Sequence, residues 1–499
     1  MFKKILISNR GEIAIRVARA CKELGISTVG IYSTIDKKSL HIRFMDETIW
    51  IGDSPAISSY LNIYTIIKAA KQTKCDAIHP GYGFLAENEK FAKACEDAGI
   101  IFIGPSSKAL SLVGDKVASR NTVKKVGVPI IPGMAMITKD IKKFKQAAKD
   151  VGYPVIIKAS MGGGGKGMRV VYNEKELEKS IAAGQREALS AFGDESVYLE
   201  KYIEQPRHIE FQVLRDNFGN CIHLFERECS IQRRHQKIIE ETPSPALDNN
   251  LRMKMGKAAK KVIDASNYTT AGTVEFLLDK NKKFYFLEVN ARIQVEHPIT
   301  EMVTGVDLVR QQILIAAGEK LTIKQDQIKQ NGHAIETRIY AEDPDNDFVP
   351  SPGKILFLSE PNGPGIRVDS GIYQGCDIPP HYDPILSKLI VWSENRKMSI
   401  VRISETLKEY IILGIKTNIG YLKRIIDSKN FASGNYDTHF IDEHEEKLQP
   451  KKEKLDIALI AGALNKSLVI SKRAKEYDSQ YSQKTTPWQE LGKWEICGQ

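Results

Sequence analysis

Two carboxylates and an amide lie on two predicted strands that a short turn connects. Glu275 lies in the apolar run TVEFLL, Glu288 and Asn290 lie in FYFLEVN, and the turn is predicted at Asp279–Asn281. Carboxylate and amide oxygens are hard ligands that suit Mg²⁺ or Mn²⁺, with the phosphates of ATP completing the coordination. Charges on a solvated sheet face are the alternative, which the apolar surroundings of both glutamates weaken. The pattern predicts a metal site on a β-hairpin.

Three polar side chains alternate directly after this hairpin, in NARIQVEHP. Arg292, Gln294 and Glu296 share one face if the segment is extended. Together they suit a small planar anion such as bicarbonate, which Arg292 can bind through two hydrogen bonds and Glu296 can deprotonate. We therefore predict an anion site here, and we interpret His297 as structural.

A glycine run, Gly162–Gly165, is followed by Lys166 and Gly167 in KASMGGGGKGMRVV. It is not a P-loop, because the lysine is not followed by Ser or Thr. It matches the dinucleotide pattern G-x-G-x-x-G, but that pattern joins a strand to a helix, whereas strands are predicted on both sides here. We predict a hairpin whose bare N–H groups and lysine form a mobile lid over phosphates. A flexible surface hairpin is the alternative.

A cluster of cations lies in ECSIQRRHQKIIEE, which contains Arg233, Arg234, His235 and Lys237. A basic surface patch is one interpretation of this cluster. The other is a site that neutralises a polyphosphate or a transferred phosphoryl group, because the cluster follows a predicted strand and ends in two glutamates.

The elements that must position these residues begin with an alternation of strand and helix. KKILISNRGEIAIRVARACKELGISTVGIYS is typical of strand, turn, helix and strand, and the alternation continues to about Leu112. Such alternation predicts an open, mostly parallel sheet whose ligand edge lies at the C-terminal ends of the strands. From Ile203 the predicted strands are antiparallel and mixed with helices. The expected fold class is α/β, with α+β character in the C-terminal part.

The composition excludes several protein classes. The 499 residues, 42% hydrophobic, indicate about two to four domains. The formal net charge of +10 is spread along the chain and fits acidic ligands, and no nucleic-acid-binding signature is present. Seven scattered cysteines without a C-x-x-C pair favour a reducing compartment. Since neither a signal peptide nor a membrane-spanning run is visible, we predict a cytoplasmic protein without nucleic-acid or membrane partners.

Several stretches of the chain resemble the biotin carboxylase family of the ATP-grasp fold, in content and in order, over about residues 1 to 445. These stretches are ISNRGEIAIRV, HPGYGFLAEN, GDKVASR, IIKASMGGGGKGMR, EKYIEQPRHIEFQV, ERECSIQRRHQK, GTVEFL, FLEVNARIQVEHPITEM, ETRIYAEDP and GIKTN. With this resemblance, the expected organisation is an N-terminal Rossmann-like domain, a helical bridge, a lid with the glycine hairpin, an ATP-grasp and C-terminal mixed domain, and a tail. The expected boundaries are 1–112, 113–130, 131–202, 203–446 and 447–499.

The resemblance implies a role for each matching residue. The residues that would bind ATP are Lys116, Lys158, Gly163, Gly164, Gly165, Lys166, Glu200, Lys201, Tyr202, Ile203, His208, Gln232 and His235. Those that would hold the metal are Glu275, Glu288 and Asn290. Those that would cradle bicarbonate are Lys237, Arg292, Gln294 and the backbone of Val295, with Glu296 as the base. Arg338 would stabilise the biotin enolate, and Tyr82 would lie beside the biotin ring.

The reaction that the resemblance implies is the carboxylation of biotin with ATP and bicarbonate, within an acetyl-CoA or propionyl-CoA carboxylase complex. A two-subunit pyruvate carboxylase is the alternative complex. Two further classes stay open, namely another ATP-grasp ligase that makes an acyl phosphate for an amine, and a non-catalytic nucleotide-binding regulator. The presence of Arg338 disfavours the ligase, and the complete set of metal and base residues disfavours the regulator.

The triplet Met253-Lys254-Met255 resembles the sequence at which carrier domains bear biotin. Here it lies in a predicted helix, whereas carrier domains present it at the tip of a β-hairpin. We interpret it as coincidental, so the expected partners are a separate biotin carrier protein and a carboxyltransferase subunit.

A homodimer is also expected from the resemblance. Arg19, Glu23 and Arg367 fit the dimer surface of the family, whereas Pro364 stands where relatives often have an aromatic residue.

Overall fold

The computed structural model describes residues 1–134, 140–159, 168–450, 460 and 462–464. The glycine run and Lys166 lie outside these residues, and so do Trp488 and Trp494 of the predicted tail. The chain divides into two compact units, Met1–Leu448 and Gln449–Gln499. The domain boundaries inside the first unit stay predictions.

The helices of the described residues alternate with strands over the first unit. They are α1 (Gly11–Glu23), α2 (Ile63–Gln72), α3 (Glu89–Asp97), α4 (Ser107–Gly114), α5 (Lys116–Lys125), α6 (Ile141–Val151), α7 (Glu174–Phe192), α8 (Asn249–Ala265), α9 (His297–Thr304), α10 (Leu308–Ala316), α11 (Arg396–Glu409), α12 (Ile419–Ile426), α13 (Lys429–Ser433) and α14 (Phe440–His444). Among the described residues, no helix is long and apolar enough to cross a lipid bilayer.

The strands are short at the N-terminus and longer in the middle of the chain. They are β1 (Lys4–Ile7), β2 (Ser27–Tyr32), β3 (Glu47–Trp50), β4 (Ala77–His79), β5 (Ile101–Phe102), β6 (Val155–Ala159), β7 (Arg169–Val171), β8 (Val197–Lys201), β9 (Arg207–Arg215), β10 (Cys221–Arg233), β11 (Gln236–Thr242), β12 (Thr270–Leu278), β13 (Phe284–Asn290), β14 (His333–Tyr340), β15 (Glu342–Asp343), β16 (Val349–Pro350), β17 (Gly353–Lys354), β18 (Phe357–Ser359), β19 (Ile366–Ser370), β20 (Asp377–Ile378), β21 (Ile385–Ser393) and β22 (Ile411–Leu413).

The N-terminal strands form the predicted parallel sheet, in the order β3-β2-β1-β4-β5. Helix α1 buries one side against it, through residues that include Ile13, Val17 and Cys21 at helical spacing. Parallel strands expose their C-terminal ends at one edge, where ligands bind in open α/β sheets. The loops after β1 and β4 carry Asn9 and Tyr82 to this edge, and Asn9 Nδ2 donates to the Tyr82 carbonyl at 2.7 Å.

A small antiparallel sheet, in the order β7-β6-β8, flanks the glycine run in the sequence. Its buried side packs on α6 and α7 through Phe144, Ile157, Leu177 and Leu199. The strands predicted on either side of the glycine run are confirmed as β6 and β7, which pair with each other.

A large antiparallel sheet holds most of the predicted site residues, and its order within the described residues is β13-β12-β9-β10-β11-β14-β21-β19. The hairpin predicted around Asp279–Asn281 is confirmed, because β12 and β13 pair with Glu275 opposite Glu288. The buried side chains of Phe211, Phe276 and Phe286 pack in the core that also contains residues of α8. This sheet gives the site a rigid base, since each strand is held by a neighbour on both sides except at the two edges.

Candidate active site

All the predicted site residues that the structure describes line one cavity of about 1010 Å³. They are Tyr82, Lys116, Lys158, Glu200, Lys201, Tyr202, Ile203, His208, Gln232, His235, Lys237, Glu275, Glu288, Asn290, Arg292, Gln294, Val295, Glu296 and Arg338. The predicted residues Gly163, Gly164, Gly165 and Lys166 lie outside the described residues. Residues spread over most of the first unit therefore meet at one place.

Lys237 lies at the centre of the charges in this cavity. It projects from β11, and its Nζ is 2.7 Å from Glu275 Oε1 and 2.8 Å from Glu296 Oε1, with a third contact to Glu210. Burial alone would lower the pKa of Lys237, but these carboxylates raise the pKa well above its ordinary value. The ammonium is therefore permanently charged at neutral pH.

Glu296 is held between two cations. Its Oε1 accepts from Lys237, and its Oε2 accepts from Arg338 Nη2 at 3.1 Å. Although burial opposes ionisation, Lys237, Arg338 and Arg227 hold the pKa of Glu296 well below its ordinary range. The residue occupies the N-cap position of α9, and its carboxylate is ionised and able to accept a proton.

Arg338 projects from β14 and is clamped from both sides. Its Nε donates to Glu240 Oε1 at 2.6 Å, opposite the contact with Glu296. Burial raises the pKa of Glu240 to about 7, against the opposing effect of Arg338. The clamp fixes the guanidinium plane while leaving it on the cavity wall.

The predicted metal ligands fit a hard cation by their chemistry. Glu275 and Glu288 are direct cross-strand neighbours, and Asn290 lies two residues further on the same strand. Burial and then repulsion from Glu275 raise the pKa of Glu288. The Glu288 carboxylate makes no side-chain hydrogen bond or ion pair among the described residues. A divalent cation would relieve this repulsion between the two carboxylates.

Glu275 has further neighbours that a metal would have to share. It accepts from Lys237, and from Gln294 Nε2 at 3.1 Å, and it lies 3.0 Å from His208 Nε2. Ligand atoms of His208, Glu210 and Glu275 all lie within 4.8 Å of one another. The acidic side of the cavity is therefore larger than the three predicted ligands.

Two of the residues predicted to bind the nucleotide lie on the small sheet. Lys158 Nζ on β6 lies 2.7 Å from Glu200 Oε2 on β8, and Glu200 also contacts Arg120. Burial, followed by repulsion from Lys116 and Arg120, lowers the pKa of Lys158 to about 7 despite the nearby carboxylate. Phosphates would supply the negative charge that these cations lack.

Other predicted nucleotide-binding residues are oriented by their neighbours. Gln232 Nε2 lies 2.8 Å from His208 Nδ1, and the Tyr202 hydroxyl lies 2.9 Å from His439 Nε2. Lys201 Nζ donates to the carbonyls of Gly152 and Tyr153, at 3.0 and 2.9 Å. Its ammonium is thus hydrogen-bonded to the segment just before β6.

The expectation that Arg292, Gln294 and Glu296 share a face of an extended segment is wrong. The segment bends at Arg292 and turns at Val295 and Glu296, because α9 begins at the next residue. All three side chains nevertheless line the cavity. Arg292 Nε donates to Glu87 Oε2 at 3.0 Å, so its guanidinium is braced by the N-terminal part of the chain.

The predicted cation cluster is divided by the structure. Arg233 pairs with Glu342 at 3.1 Å, and Arg234 pairs with Asp347 at 2.5 Å. Arg234, His235 and Lys237 line the cavity, whereas Arg233 does not. Arg234 and His235 form the tight turn between β10 and β11 with positive φ, which gives the neighbouring side chains different directions.

Three buried residues of the site were missed by the sequence analysis. Arg227 on β10 donates to Glu210 and to Gln294 Oε1 at 2.9 Å, while Glu240 holds Arg338. The available signal was the alternation of polar side chains within apolar strands, as in HIEFQV, where His208, Glu210 and Gln212 fall on one face.

Comparison with known proteins assigns the family. Three family models cover most of the chain: "Biotin carboxylase, N-terminal domain" matches residues 1–110, "Carbamoyl-phosphate synthase L chain, ATP binding domain" matches 115–324, and "Biotin carboxylase C-terminal domain" matches 336–443.

Related proteins match this chain over nearly the whole length of their own sequences. The biotin carboxylase of Nostoc sp. is 54% identical over 89% of this chain and 99% of its own. A pyruvate carboxylase subunit of Methanothermobacter thermautotrophicus is 53% identical over 91% and 92%. The biotin carboxylase domain dimer of Hydrogenobacter thermophilus 2-oxoglutarate carboxylase, solved with MgADP, ADP and bicarbonate, superposes with a TM-score of 0.88 at 49% identity, over 91% of this chain and 100% of its own. The predicted ATP-grasp fold is confirmed, and the chain belongs to the biotin carboxylase family of ATP-dependent enzymes.

Proposed function

We propose that this cavity carboxylates biotin with ATP and bicarbonate, in two successive steps. The observation that carries the proposal is the ionised Glu296 held between Lys237 and Arg338 on the cavity wall. A base beside two fixed cations suits the activation of one small anion and the stabilisation of another.

The first step activates bicarbonate. Lys237, Arg292 and Gln294 would hold the anion, and Glu296 would take its proton. The resulting carbonate oxygen attacks the γ-phosphorus of ATP, ADP leaves, and carboxyphosphate forms. Bicarbonate would compete with Glu296 for Lys237, and this would raise the low pKa of Glu296, so that its carboxylate becomes a better acceptor for the bicarbonate proton.

The second step transfers the carboxyl group. Carboxyphosphate breaks into CO2 and phosphate, and the phosphate takes the N1 proton of biotin. Arg338 stabilises the enolate oxygen that develops, and the enolate attacks CO2 to give carboxybiotin. Tyr82 is suited to the biotin ring, because its hydroxyl is already bonded to Glu12 and its ring orientation is fixed.

Magnesium fits the acidic side of the cavity, where Glu275, Glu288 and Asn290 would hold it. When bound, it would offset the negative charge of the ATP phosphates. Lys116 and Lys158 would contact the phosphates from the opposite side. His208 and Gln232, already within hydrogen-bond distance of each other, would hold the ribose.

The biotin is proposed to belong to a separate carrier protein. Lys254 is exposed in the middle of α8, while its neighbour Met255 is fully buried in the core. A biotin ligase reads lysine in an accessible hairpin, so mass spectrometry after expression with such a ligase should show no added biotin. A biotinylated Lys254 would contradict the separate carrier.

The final acceptor is proposed to be an acyl-CoA, with a 2-oxo acid as the second candidate. The second is favoured by the relatives named for pyruvate and 2-oxoglutarate carboxylases, which match the chain as well as the biotin carboxylases do. Purification of the native complex, followed by carboxylation assays with acetyl-CoA, propionyl-CoA and pyruvate, distinguishes the two through the acceptor that supports turnover.

A homodimer is proposed on narrower grounds than the sequence suggested. Arg19 and Glu23 are exposed on α1. Arg367, however, is engaged within the chain, at 2.8 Å from both Glu301 and Asp369. The related biotin carboxylase domain is a dimer. Sedimentation of the purified chain should give twice the monomer mass, and Glu23→Arg should lower that mass if this surface forms the contact.

The experiment that tests the proposed function is ATP hydrolysis with free biotin. We expect hydrolysis to need bicarbonate and to rise when biotin is added, with carboxybiotin as the product. Hydrolysis that ignores bicarbonate and instead needs an amine would favour the other ATP-grasp ligase.

A further inference from the structure

Two successive backbone carbonyls in front of the base are each held by a fully buried side chain. His297 Nδ1 donates to the Gln294 carbonyl at 2.7 Å, and Lys388 Nζ donates to the Val295 carbonyl at 3.0 Å. We propose that His297 and Lys388 are positioning residues, which fix the turn in front of Glu296 for bicarbonate activation. This inference rests on the proposed function of the cavity.

Lys388 is buried where an ammonium must be compensated. Its side chain has no exposed surface, and its Nζ lies 3.1 Å from Glu12 Oε1 and 3.8 Å from Asp369 Oδ2. A buried charge is tolerated only when it is paired and hydrogen-bonded. Because these two carboxylates balance the charge, the hydrogen bond from Lys388 Nζ to the Val295 carbonyl is a fixed contact between β21 and the turn.

The register of the sheet places this lysine directly beside the reactive groups. Lys388 on β21 is the cross-strand partner of Arg338 on β14, and Asp369 on β19 is its partner on the other side. The same lysine therefore touches the turn that carries the base and borders the strand that carries the enolate-stabilising arginine. A displacement of Lys388 would therefore move both the turn in front of Glu296 and the strand that carries Arg338.

His297 supports the same turn from the first residue of α9. Burial, and then the cations Lys388 and Arg16, hold the pKa of His297 well below its ordinary range, so the ring is neutral. Because the Gln294 carbonyl can only accept, the neutral ring carries its proton on Nδ1. Nε2 is buried and has no hydrogen-bond partner among the described residues. The hydrogen bond that the ring makes through Nδ1 therefore goes to the turn.

The positions of these two carbonyls matter because they set the positions of the Gln294 and Glu296 side chains, which have different partners. Gln294 is held by Arg227 and Glu275, whereas the Glu296 carboxylate must meet a small anion. A misplacement of about 1 Å at a reacting group can cost on the order of 10²-fold in rate. The effect should fall on bicarbonate and leave ATP binding unchanged.

The first experiment compares two substitutions of one histidine. His297→Leu keeps the bulk but removes the donor, whereas His297→Asn can keep an N–H donor near the place of Nδ1. We expect His297→Leu to lower kcat/KM for bicarbonate about 10- to 100-fold, the range typical when a supporting hydrogen bond is lost. His297→Asn should recover most of this loss, and KM for ATP should stay within about twofold of the wild type in both variants.

The second experiment uses Lys388→Met with a matched control. Arg252→Met also removes a cation from an ion pair, with the buried Glu226, but the hydrogen bonds that Arg252 makes among the described residues go to Glu226, Asn249 and Leu247 and not to the turn in front of Glu296. We expect a bicarbonate-specific loss for Lys388→Met and none for Arg252→Met, even if both lower the melting temperature. If Lys388→Met does not fold, Lys388→Met combined with Glu12→Gln removes the uncompensated charge, with Glu12→Gln alone as its reference.

Distinct outcomes separate the inference from the function on which it rests. Wild-type protein without bicarbonate-dependent hydrolysis would contradict the proposed function itself. With an active wild type, unchanged bicarbonate kinetics in His297→Leu and in the Lys388 variants would overturn the positioning role. Equal losses for His297→Leu and His297→Asn would overturn the role of the Nδ1 donor.

Discussion

Two largely buried lysines that line the same cavity have opposite electrostatic surroundings. Lys237 contacts three carboxylates, and its pKa is raised well above the ordinary value after the cost of burial. Lys158 has one ion-pair partner among the described residues, Glu200, which it shares with Arg120. Burial and the neighbouring cations lower the pKa of Lys158 to about 7, against the opposing effect of Glu288. The side chains are similarly buried, with 12% and 13% of their surface exposed, so burial alone does not decide the difference.

For the proposed roles of the two lysines, the difference in surroundings predicts two ways of binding a substrate. The cation near the base is charged before bicarbonate arrives, because the protein supplies its counter-charges. The cation on the small sheet shares its carboxylate partner Glu200 with Arg120, and the phosphates of ATP would supply further negative charge. In the first case the protein offsets the desolvation of the ammonium, and in the second the ligand does.

The largest expected effect on rate and stability together follows from removing the lysine that has three partners. Lys237→Met leaves Glu210, Glu275 and Glu296 facing one another without their shared cation. We expect bicarbonate-dependent ATP hydrolysis to fall by about 10²–10³-fold or more. The free energy of unfolding at pH 7 should fall by about 3–5 kcal/mol, since breaking a buried pair leaves an uncompensated charge. Urea unfolding and steady-state kinetics measure the two effects.

The pH dependence of this stability loss has a definite sign. The pKa of Glu296 is depressed in the folded protein, so its contribution is present above the unfolded value of about 4.3 and is lost as pH falls. In Lys237→Met this contribution is reduced, and the difference from the wild type should shrink as pH falls below about 5. A difference that stays constant as pH falls from about 5 to about 3 would contradict the electrostatic explanation.

Variants of the proposed base and of the proposed anion-binding arginine should respond differently to added bicarbonate. Glu296→Gln keeps the shape but loses the proton acceptor, so the rate constant should fall by about 10²–10⁴-fold at any bicarbonate concentration. Arg292→Lys loses the two-pronged contact, so it should need more bicarbonate and recover in part at high concentration. If bicarbonate rescued Glu296→Gln as well, Glu296 would be a binding residue, and His235 would be the next base to test.

The lysine on the small sheet should affect ATP rather than stability. Lys158→Met should weaken ATP binding by about 10- to 100-fold, equivalent to the loss of a charge-assisted contact of about 1.5–3 kcal/mol. Its unfolding free energy should change far less than that of Lys237→Met, because Arg120 still pairs with Glu200. Titration calorimetry and urea unfolding of the two lysine variants side by side test the contrast. Equal losses of unfolding free energy in Lys158→Met and Lys237→Met would contradict this contrast.

The sequence was sufficient for the elements that carry a clear period. The parallel sheet, the β12–β13 hairpin and the helical environment of Lys254 followed from spacing within single segments. The metal-side glutamates could be paired in advance because both lie on one hairpin. The described residues predicted by resemblance all line the cavity, since the matching motifs are long and occur in the same order.

What the sequence could not supply depends on contacts between distant segments. Lys388 meets Glu12, which lies near the other end of the chain, and no local pattern indicates that encounter. The turn at Glu296 was read as extended because alternation along the segment does not reveal where a helix begins. The opposite pKa shifts of the two lysines also depend on neighbours from several strands, so they appear only when the strands are assembled.

The smallest expected effect is a proton taken up when ATP binds. With a pKa of about 7 in the free protein, Lys158 is about half protonated at pH 7, and bound phosphates should raise its pKa. ATP binding at pH 7 to 8 should therefore take up more protons in the wild type than in Lys158→Met, by up to about one proton. Wild-type affinity should also decline as pH rises above 7, by less than about tenfold per pH unit. Calorimetry in two buffers of different ionisation enthalpy measures the uptake, and subtracting the variant removes the proton that ATP itself exchanges.

The stability of the protein without ATP should depend on pH in the corresponding direction. A lowered lysine pKa costs stability below pH 7, and this cost fades as pH rises towards the unfolded value of about 10.4, so stability should rise over that range relative to Lys158→Met. Equal proton uptake in the two proteins would mean that Lys158 is already charged before ATP binds, and the two lysines would then differ only in their partners.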